Sequence, residues 1–302
     1  MSSDSNLLSA FSDNLKQAVA RGGESTVLVN GRRRIPASGI VYAPDLILTA
    51  DHVVERDEDL SVMMANGNII SATIAGRDPG NDLALLRLEK TSATPAEKAI
   101  QEVQVGEVVI ALGRPSKEGI EASLGIVCAV GGPVRTGRGG MLERYLRTDT
   151  TPFPGFSGGP LIDTEGRVVG LNTSGLAHGA AITIPAALAW SDAENLAKYG
   201  YVKRSYLGIR SQLVSLSPDL RKALGREQEE GLLLVSVETG SPAEMGGLFV
   251  GDILVAINGQ SVSDHDELLV YLTGQAVGKT TAIQILRGGQ PLSISVVPGE
   301  RK

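Results

Sequence analysis

Between Thr26 and Ile184 the chain is written as short apolar, β-branched runs, and this punctuation limits the fold more than any other feature. The first set covers Thr26–Val29, Ile35–Tyr42, Leu46–Thr49, Leu60–Met64, Ile69–Ala75 and Leu83–Leu88, with turn signals at Asn30-Gly31, Ala43-Pro44-Asp45, Asn66-Gly67 and Asp78-Pro79-Gly80. The second covers Glu107–Leu112, Ile120–Val130, Tyr145–Thr148, Gly159–Ile162, Val168–Asn172 and Ala180–Ile184. Runs of this length and spacing predict small antiparallel barrels, whose closure removes exposed strand edges. The polar, alanine-rich segment from Ser92 to Ile100 reads as the connection between the two sets.

Within the second set stands Pro154-Gly155-Phe156-Ser157-Gly158-Gly159-Pro160. Glycines and prolines around one serine permit a sharp turn and a close approach of another backbone. An ordinary serine in a glycine- and proline-rich turn would read the same way, so the motif needs partners. A serine hydroxyl becomes a nucleophile when a base takes its proton and a carboxylate orients the base. Of the three histidines, His52 ends the run Leu46–Thr49, and Asp82 immediately precedes the run Leu83–Leu88. Ser157, His52 and Asp82 are therefore the candidate catalytic residues. The backbone N–H groups of Gly155, Phe156 and Ser157, those of Gly155 and Ser157 foremost, are candidates for stabilising an oxyanion.

With these contexts in place, the chain resembles the HtrA/Deg family of chymotrypsin-like serine proteases. Thr49-Ala50-Asp51-His52-Val53-Val54, Asp78-Pro79-Gly80-Asn81-Asp82-Leu83-Ala84-Leu85-Leu86 and the nucleophile segment from Thr148-Asp149 to Leu161 carry the resemblance, in the order His, Asp, Ser. It implies a mainly β double-barrel protease domain followed by an α/β PDZ domain, with a helical segment over residues 1–24, the protease over 25–200 and the PDZ domain over 201–302. Leu171, Asn172 and Thr173 then correspond to the substrate pocket. With no acidic residue evident at its base, small or medium apolar side chains are expected there. The glycine-rich interval Gly131–Gly140 resembles the family's sensor loop; having no apolar face to bury, it equally reads as a mobile connector.

After Tyr201-Val202-Lys203-Arg204-Ser205 the chain starts afresh. Tyr206-Leu207-Gly208-Ile209 resembles the carboxylate-binding loop of a PDZ domain, which takes a peptide C-terminus beside a strand edge. Gly240–Leu248 and Gly251–Gly259 resemble PDZ core segments, Asp266–Leu272 reads as the helix flanking the groove, and His265 stands just before that helix. Thr281–Leu286 and Leu292–Val297 read as closing strands.

The remaining features bound the reading. A net charge of −6 over 302 residues carries no nucleic-acid footprint, and Arg32-Arg33-Arg34 reads as a solvated turn. Cys128, the single cysteine, excludes an intrachain disulfide and reads as a buried thiol. His178 has no partners at metal spacing and reads as surface, so neither a metal nor another cofactor is expected. Leu7, Leu8, Phe11, Leu15 and Val19 form one stripe of a lead-in helix with Ser5 as its N-cap, stopped at Gly22-Gly23; trimer formation through this segment is an implication of the resemblance. Pro185 to Gly200 reads as a helical stretch with a glycine stop that closes the protease domain, with Trp190 packed on a barrel. No apolar run approaches the ~20 residues of a membrane span, and Met1–Asp13 lacks the pattern of a signal peptide. The compartment is therefore cytoplasmic, or extracytoplasmic with a targeting segment removed.

Two positions depart from the family pattern. Phe156 replaces the usual asparagine before the nucleophile, and Pro152-Phe153 replaces a more usual Ile-Asn. Ring packing is then expected to gate the oxyanion hole, and Phe156→Asn to raise basal turnover. The expected activity is serine endopeptidase action on unfolded or damaged proteins, with peptide C-termini at the PDZ domain as regulators. The rivals are a proteolytically weak chaperone or peptide-binding scaffold, and an esterase using the same triad.

Overall fold

The computed structural model describes residues 4–90, 93–136, 140–176, 182–272 and 276–301, which fall into two compact units, Met1–Val202 and Lys203–Lys302. The first unit opens with helix α1 (Asp4–Glu24). Only the C-terminal half of its apolar stripe docks: Leu15 and Val19 pack with buried Ala18 on a barrel core, while Leu7, Leu8 and Phe11 stay exposed. The helix begins one residue before Ser5, and Gly22-Gly23 do not stop it. These glycines are packing positions: a Cβ on Gly22 would lie 3.0 Å from methyls of both Ile162 and Leu112, which would have to give way to admit it.

Strands β1 (Thr26–Asn30), β2 (Ala37–Ala43), β3 (Leu46–Ala50), β4 (Leu60–Met63), β5 (Ile69–Asp78) and β6 (Leu83–Leu88) close a barrel in the order β1-β2-β3-β6-β5-β4. Its core is small and branched, built on Val27, Val29, Val41, Ile47, Val62 and Leu86. Asn30-Gly31 is not a two-residue hairpin. The Gly31 carbonyl accepts from the amides of Glu55 and Arg56, so the chain runs past it and the connection to β2 extends through Pro36.

The second barrel takes β7 (Val108–Ser116), β8 (Gly119–Gly131), β11 (Tyr145–Thr148), β12 (Pro160–Ile162), β13 (Val168–Thr173) and β14 (Ile182–Pro185), in the order β11-β14-β13-β12-β7-β8. Between them, β9 (Val134–Arg135) and β10 (Met141–Leu142) form a two-stranded ribbon. The glycine-rich interval is thus anchored: the Thr136 hydroxyl donates to the Gly80 carbonyl at 2.6 Å, and Leu142, just beyond it in β10, is buried in the barrel core. Gly137–Gly139, and likewise His178, lie outside the described residues. Cys128 is exposed rather than buried, because β8 alternates and its neighbour Val127 takes the inward position.

Helix α2 (Ala186–Tyr199) ends on Gly200 in the left-handed conformation and carries Trp190, whose ring meets Tyr42 edge-on at 5.8 Å. It thereby packs against the first barrel as well as the second.

The second unit is a sheet in the order β16 (Ile209–Ser215), β17 (Glu230–Val237), β18 (Ile253–Ile257), β20 (Thr281–Arg287), β21 (Gln290–Val296), with β19 (Gln260–Ser261) beside β18. Short strands β15 (Arg204–Tyr206) and β22 (Gly299–Arg301) pair separately, and α3 (Pro218–Leu224), α4 (Pro242–Met245) and α5 (His265–Tyr271) complete it. The β20–β21 hairpin turns on Gly288-Gly289, both at positive φ, as a two-residue turn of this hand requires. Helix α5 includes His265. Asp264 caps it by accepting from the Glu267 amide at 2.8 Å, and Glu267 reaches back to the Ser263 amide at 2.6 Å.

Candidate active site

Histidine 52 sits in a single 3-10 turn, Asp51–Val53, at the end of β3. Arg77 from β5 holds that turn: its Nε donates to Asp51 Oδ1 at 2.6 Å and its Nη2 to the Val54 carbonyl at 2.8 Å. Asp82 receives the turn from the other side. Its Oδ1 accepts from the His52 backbone amide at 2.8 Å, and its Oδ2 lies 2.8 Å from His52 Nδ1. The Thr173 hydroxyl, from β13 of the second barrel, donates to the same Oδ2. Asp82 is inaccessible to solvent, so its charge rests on these donors. Facing a carboxylate, Nδ1 carries the ring proton, which leaves Nε2 with a free lone pair as a base requires.

The Asp82 backbone is left-handed, at φ 55°, a conformation that aspartate tolerates better than most residues. Gly175 shuts the back of the pair. A Cβ there would stand 2.5 Å from Asp82 Oδ2 and 2.7 Å from His52 Nδ1. Neither Arg77 nor Gly175 carries a sequence signal that distinguishes it from any other arginine or glycine.

The nucleophile segment is built on a turn. The Phe156 amide donates to the Phe153 carbonyl at 3.1 Å, Pro154 takes the second position, and Gly155 has φ 90° at the third, which defines a type II turn. The first barrel clamps it: Ser38 Oγ donates to the Gly155 carbonyl at 2.7 Å, and the Ser38 amide to the Ser157 carbonyl at 3.1 Å. Among the described residues the amides of Gly155 and Ser157 have no protein acceptor, while that of Phe156 is committed to the turn. Phe156 is therefore removed from the oxyanion candidates, and Gly155 and Ser157 remain. Ser157 Oγ lies 3.1 Å from Ser174 Oγ, and among the described residues it makes no hydrogen bond to His52. Catalytic hydrogen bonds are often loose before substrate arrives.

The aromatic pair divides its work. Phe156 is buried among Val109, Ala111, Val127 and Leu161, whereas Phe153 is exposed and meets it edge-on at 5.4 Å. Phe156→Asn would sink an amide into an apolar cluster, so any effect on turnover comes with a cost in stability.

A cavity of about 310 Å³ opens beside Ser157. Asn172 and Thr173 line it, together with Thr148, Thr150, Thr183 and Arg32. Leu171 does not: β13 alternates, and this side chain is fully buried in the barrel core. Ala111, Pro152, Phe153, Pro154 and Phe156 supply apolar wall beside these hydroxyls and the amide, and no carboxylate stands among the described lining residues.

In the second unit, Tyr206, Leu207, Gly208 and Ile209 form the bend between β15 and β16. The Leu207 carbonyl accepts from Ala243 at 2.9 Å and that of Gly208 from Glu238 at 2.8 Å, while the Leu207 side chain is buried in that unit's own core. Gly208 has φ 81°.

Comparison with known proteins places these sites in context. Residues 37–171 match the trypsin-like peptidase domain, and residues 205–297 match the PDZ domain. A probable periplasmic serine endoprotease DegP-like from Rhizobium meliloti is 33% identical over 283 residues, covering 90% of this chain and 55% of the relative. The serine endoprotease DegS of Haemophilus influenzae is 31% identical over 271 residues, covering 86% of this chain and 76% of the relative. The chain thus spans little more than half the length of the DegP-like relative. Among solved structures, an HtrA-type protease AlgW with a decapeptide superposes with a TM-score of 0.78 at 25% identity, over 95% of this chain and 99% of the other. A serine endoprotease from Yersinia pestis superposes with a TM-score of 0.75 at 30% identity, over 95% and 98%.

Proposed function

The chain belongs to the HtrA/Deg family of serine proteases, and we propose that it is an endopeptidase acting through Ser157, His52 and Asp82 on unfolded or damaged protein segments. Ser157 Oγ attacks the scissile carbonyl. His52 Nε2 takes the hydroxyl proton and returns it to the leaving amine, and Asp82 holds the ring and balances the charge it gains. The amides of Gly155 and Ser157 stabilise the tetrahedral oxyanion, and water repeats the sequence on the acyl-enzyme. The observation that carries this reading is the convergence on Asp82 of His52 from one barrel and Thr173 from the other. A binding scaffold has no use for a buried carboxylate aimed at an imidazole.

The PDZ domain supplies the regulation. A peptide C-terminus seats at Tyr206–Ile209 and continues along β16, an edge strand of the sheet. The ribbon at Val134–Leu142 is the route to the protease site, because Thr136 is bonded to Gly80, two residues before Asp82. The exposed Leu7, Leu8 and Phe11 support homo-oligomer formation through α1, a trimer or larger. Curated relatives that carry "periplasmic" in their names favour the extracytoplasmic alternative for the compartment.

The test compares the wild-type chain with Ser157→Ala on a reduced, alkylated protein substrate. Cleavage that is lost in the variant, with binding of a C-terminal peptide retained, supports the endopeptidase. Equal activity of the two proteins, or none with intact peptide binding, returns the scaffold reading.

A further inference from the structure

The end of strand β7 sets three successive residues against different parts of the nucleophile turn. Gly113 lies under the Phe156 ring, where a Cβ would collide with it, and Pro115 stands against Gly155. Between them, the register of β7 on β8 is interrupted and leaves Arg114 without a cross-strand partner, so its amide is released to donate to Ser38 Oγ at 2.8 Å. Having accepted from Arg114, the Ser38 hydroxyl turns its own proton to the Gly155 carbonyl at 2.7 Å. The Gly155 carbonyl and the Phe156 amide belong to one peptide group, which is thus held at both ends, by Ser38 and by the Phe153 carbonyl. The Gly155 amide has no protein partner of its own among the described residues, and it keeps its direction only while the group beside it stays fixed.

The Arg114 side chain runs the other way and is buried. Its Nε donates to the Thr26 carbonyl at 2.8 Å and its Nη2 to the Gly23 carbonyl at 3.1 Å. Gly23 lies in the last turn of α1, where carbonyls lack partners within the helix and its dipole favours a cation. Among the described residues no carboxylate pairs with this guanidinium, and burial holds its pKa below the usual arginine value. A buried cation resting on neutral carbonyls is costly to keep where packing alone is needed.

We propose that Arg114 is a positioning residue for the oxyanion hole: anchored on the end of α1 and the start of β1, it fixes the strand end whose amide aims the Ser38 hydroxyl at Gly155. It touches no reacting atom and acts through Ser38. The inference rests on the endopeptidase reading above and adds to it the residue that ties α1 to the nucleophile turn.

The experiment reads the maximal rate apart from binding, in the full-length chain. Arg114→Met keeps the stem and removes the donors, Arg114→Lys restores a cation, and Ser38→Ala removes the relay. With each variant shown to be folded by thermal unfolding, kcat and KM are measured on a peptide substrate. Fluorophosphonate labelling of Ser157 reads the nucleophile and its oxyanion donors with no need for peptide cleavage. Arg114→Met is expected to lower kcat and the labelling rate about tenfold with KM unchanged, a part of the ~10²–10³ that outright loss of an oxyanion donor costs. Arg114→Lys is expected to fall between it and the wild-type chain. Because one residue acts through the other, Ser38→Ala with Arg114→Met is expected to be no slower than Ser38→Ala alone. Unchanged labelling in Arg114→Met, a loss confined to KM, or losses that multiply in the double variant overturn the proposal. So does full activity in Ser38→Ala, which stands in for Arg114→Met should that variant fail to fold. Labelling of the wild-type chain with no cleavage of peptide or unfolded protein overturns the endopeptidase instead, and the labelling rates still decide the role of Arg114.

Discussion

Thr173 and His52, from different barrels, meet the same oxygen of Asp82: the threonine hydroxyl donates to Oδ2, and His52 Nδ1 lies 2.8 Å from it. The base is thus oriented by a carboxylate that is correct only when both barrels are in place. Thr173→Val keeps the shape and removes the donor. It is expected to lower kcat by about one to two decades with KM little changed, the cost of one hydrogen bond to a buried charge being ~1.5–3 kcal/mol. Steady-state kinetics on a peptide substrate read this directly.

Gly175 predicts a larger effect from a smaller change. The methyl of Gly175→Ala would enter the space between Asp82 Oδ2 and His52 Nδ1, so the pair must separate. Activity is expected to fall by about two decades, as displacements near 1 Å do at a reacting centre. The thermal midpoint should move little, because Gly175 lies beside the pair and outside the hydrophobic clusters.

The type II turn makes its own prediction. Gly155→Ala forces a side chain onto φ 90° and within 2.5 Å of Pro115 Cβ. Relaxation toward an ordinary turn rotates the Gly155 amide away from its present direction. Loss of one oxyanion donor is expected, with kcat lower by about 10²–10³ and peptide binding to the Ser157→Ala form unaffected.

The two phenylalanines separate stability from access. Phe156→Ala empties a buried site and is expected to cost about 3–5 kcal/mol of stability. Phe153→Ala removes an exposed ring that lines the cavity, and should change KM while leaving denaturant stability nearly unaltered. Urea unfolding and steady-state kinetics on the same two proteins distinguish these outcomes.

Much of the architecture was legible because it is local. Turn residues at Pro44-Asp45, Asn66-Gly67 and Pro79-Gly80 cut the chain where the barrel strands end, and the apolar runs between them left little freedom of assignment. His52 and Asp82 were legible for the same reason, each fixed at the end of a run. What the sequence hid is what depends on a distant neighbour. Gly22-Gly23 reads as a helix stop because its packing partners, Leu112 and Ile162 for Gly22 and Ile120 for Gly23, are far off in the chain. Arg32 read as a solvated turn residue because its relation to a cavity, set by residues more than a hundred positions away, has no local signature. Leu171 and Cys128 lie one step of strand alternation from where the sequence places them, because a continuous apolar run does not show which face is inward.

The most direct measurement is intact-mass labelling with a fluorophosphonate, with and without a short peptide bearing a hydrophobic C-terminus. An assembled triad and oxyanion hole predict a single adduct at Ser157, absent in Ser157→Ala, slower in Thr173→Val, and faster when the peptide occupies the PDZ domain. No adduct under either condition, or an adduct that persists in Ser157→Ala, would contradict Ser157 as the nucleophile.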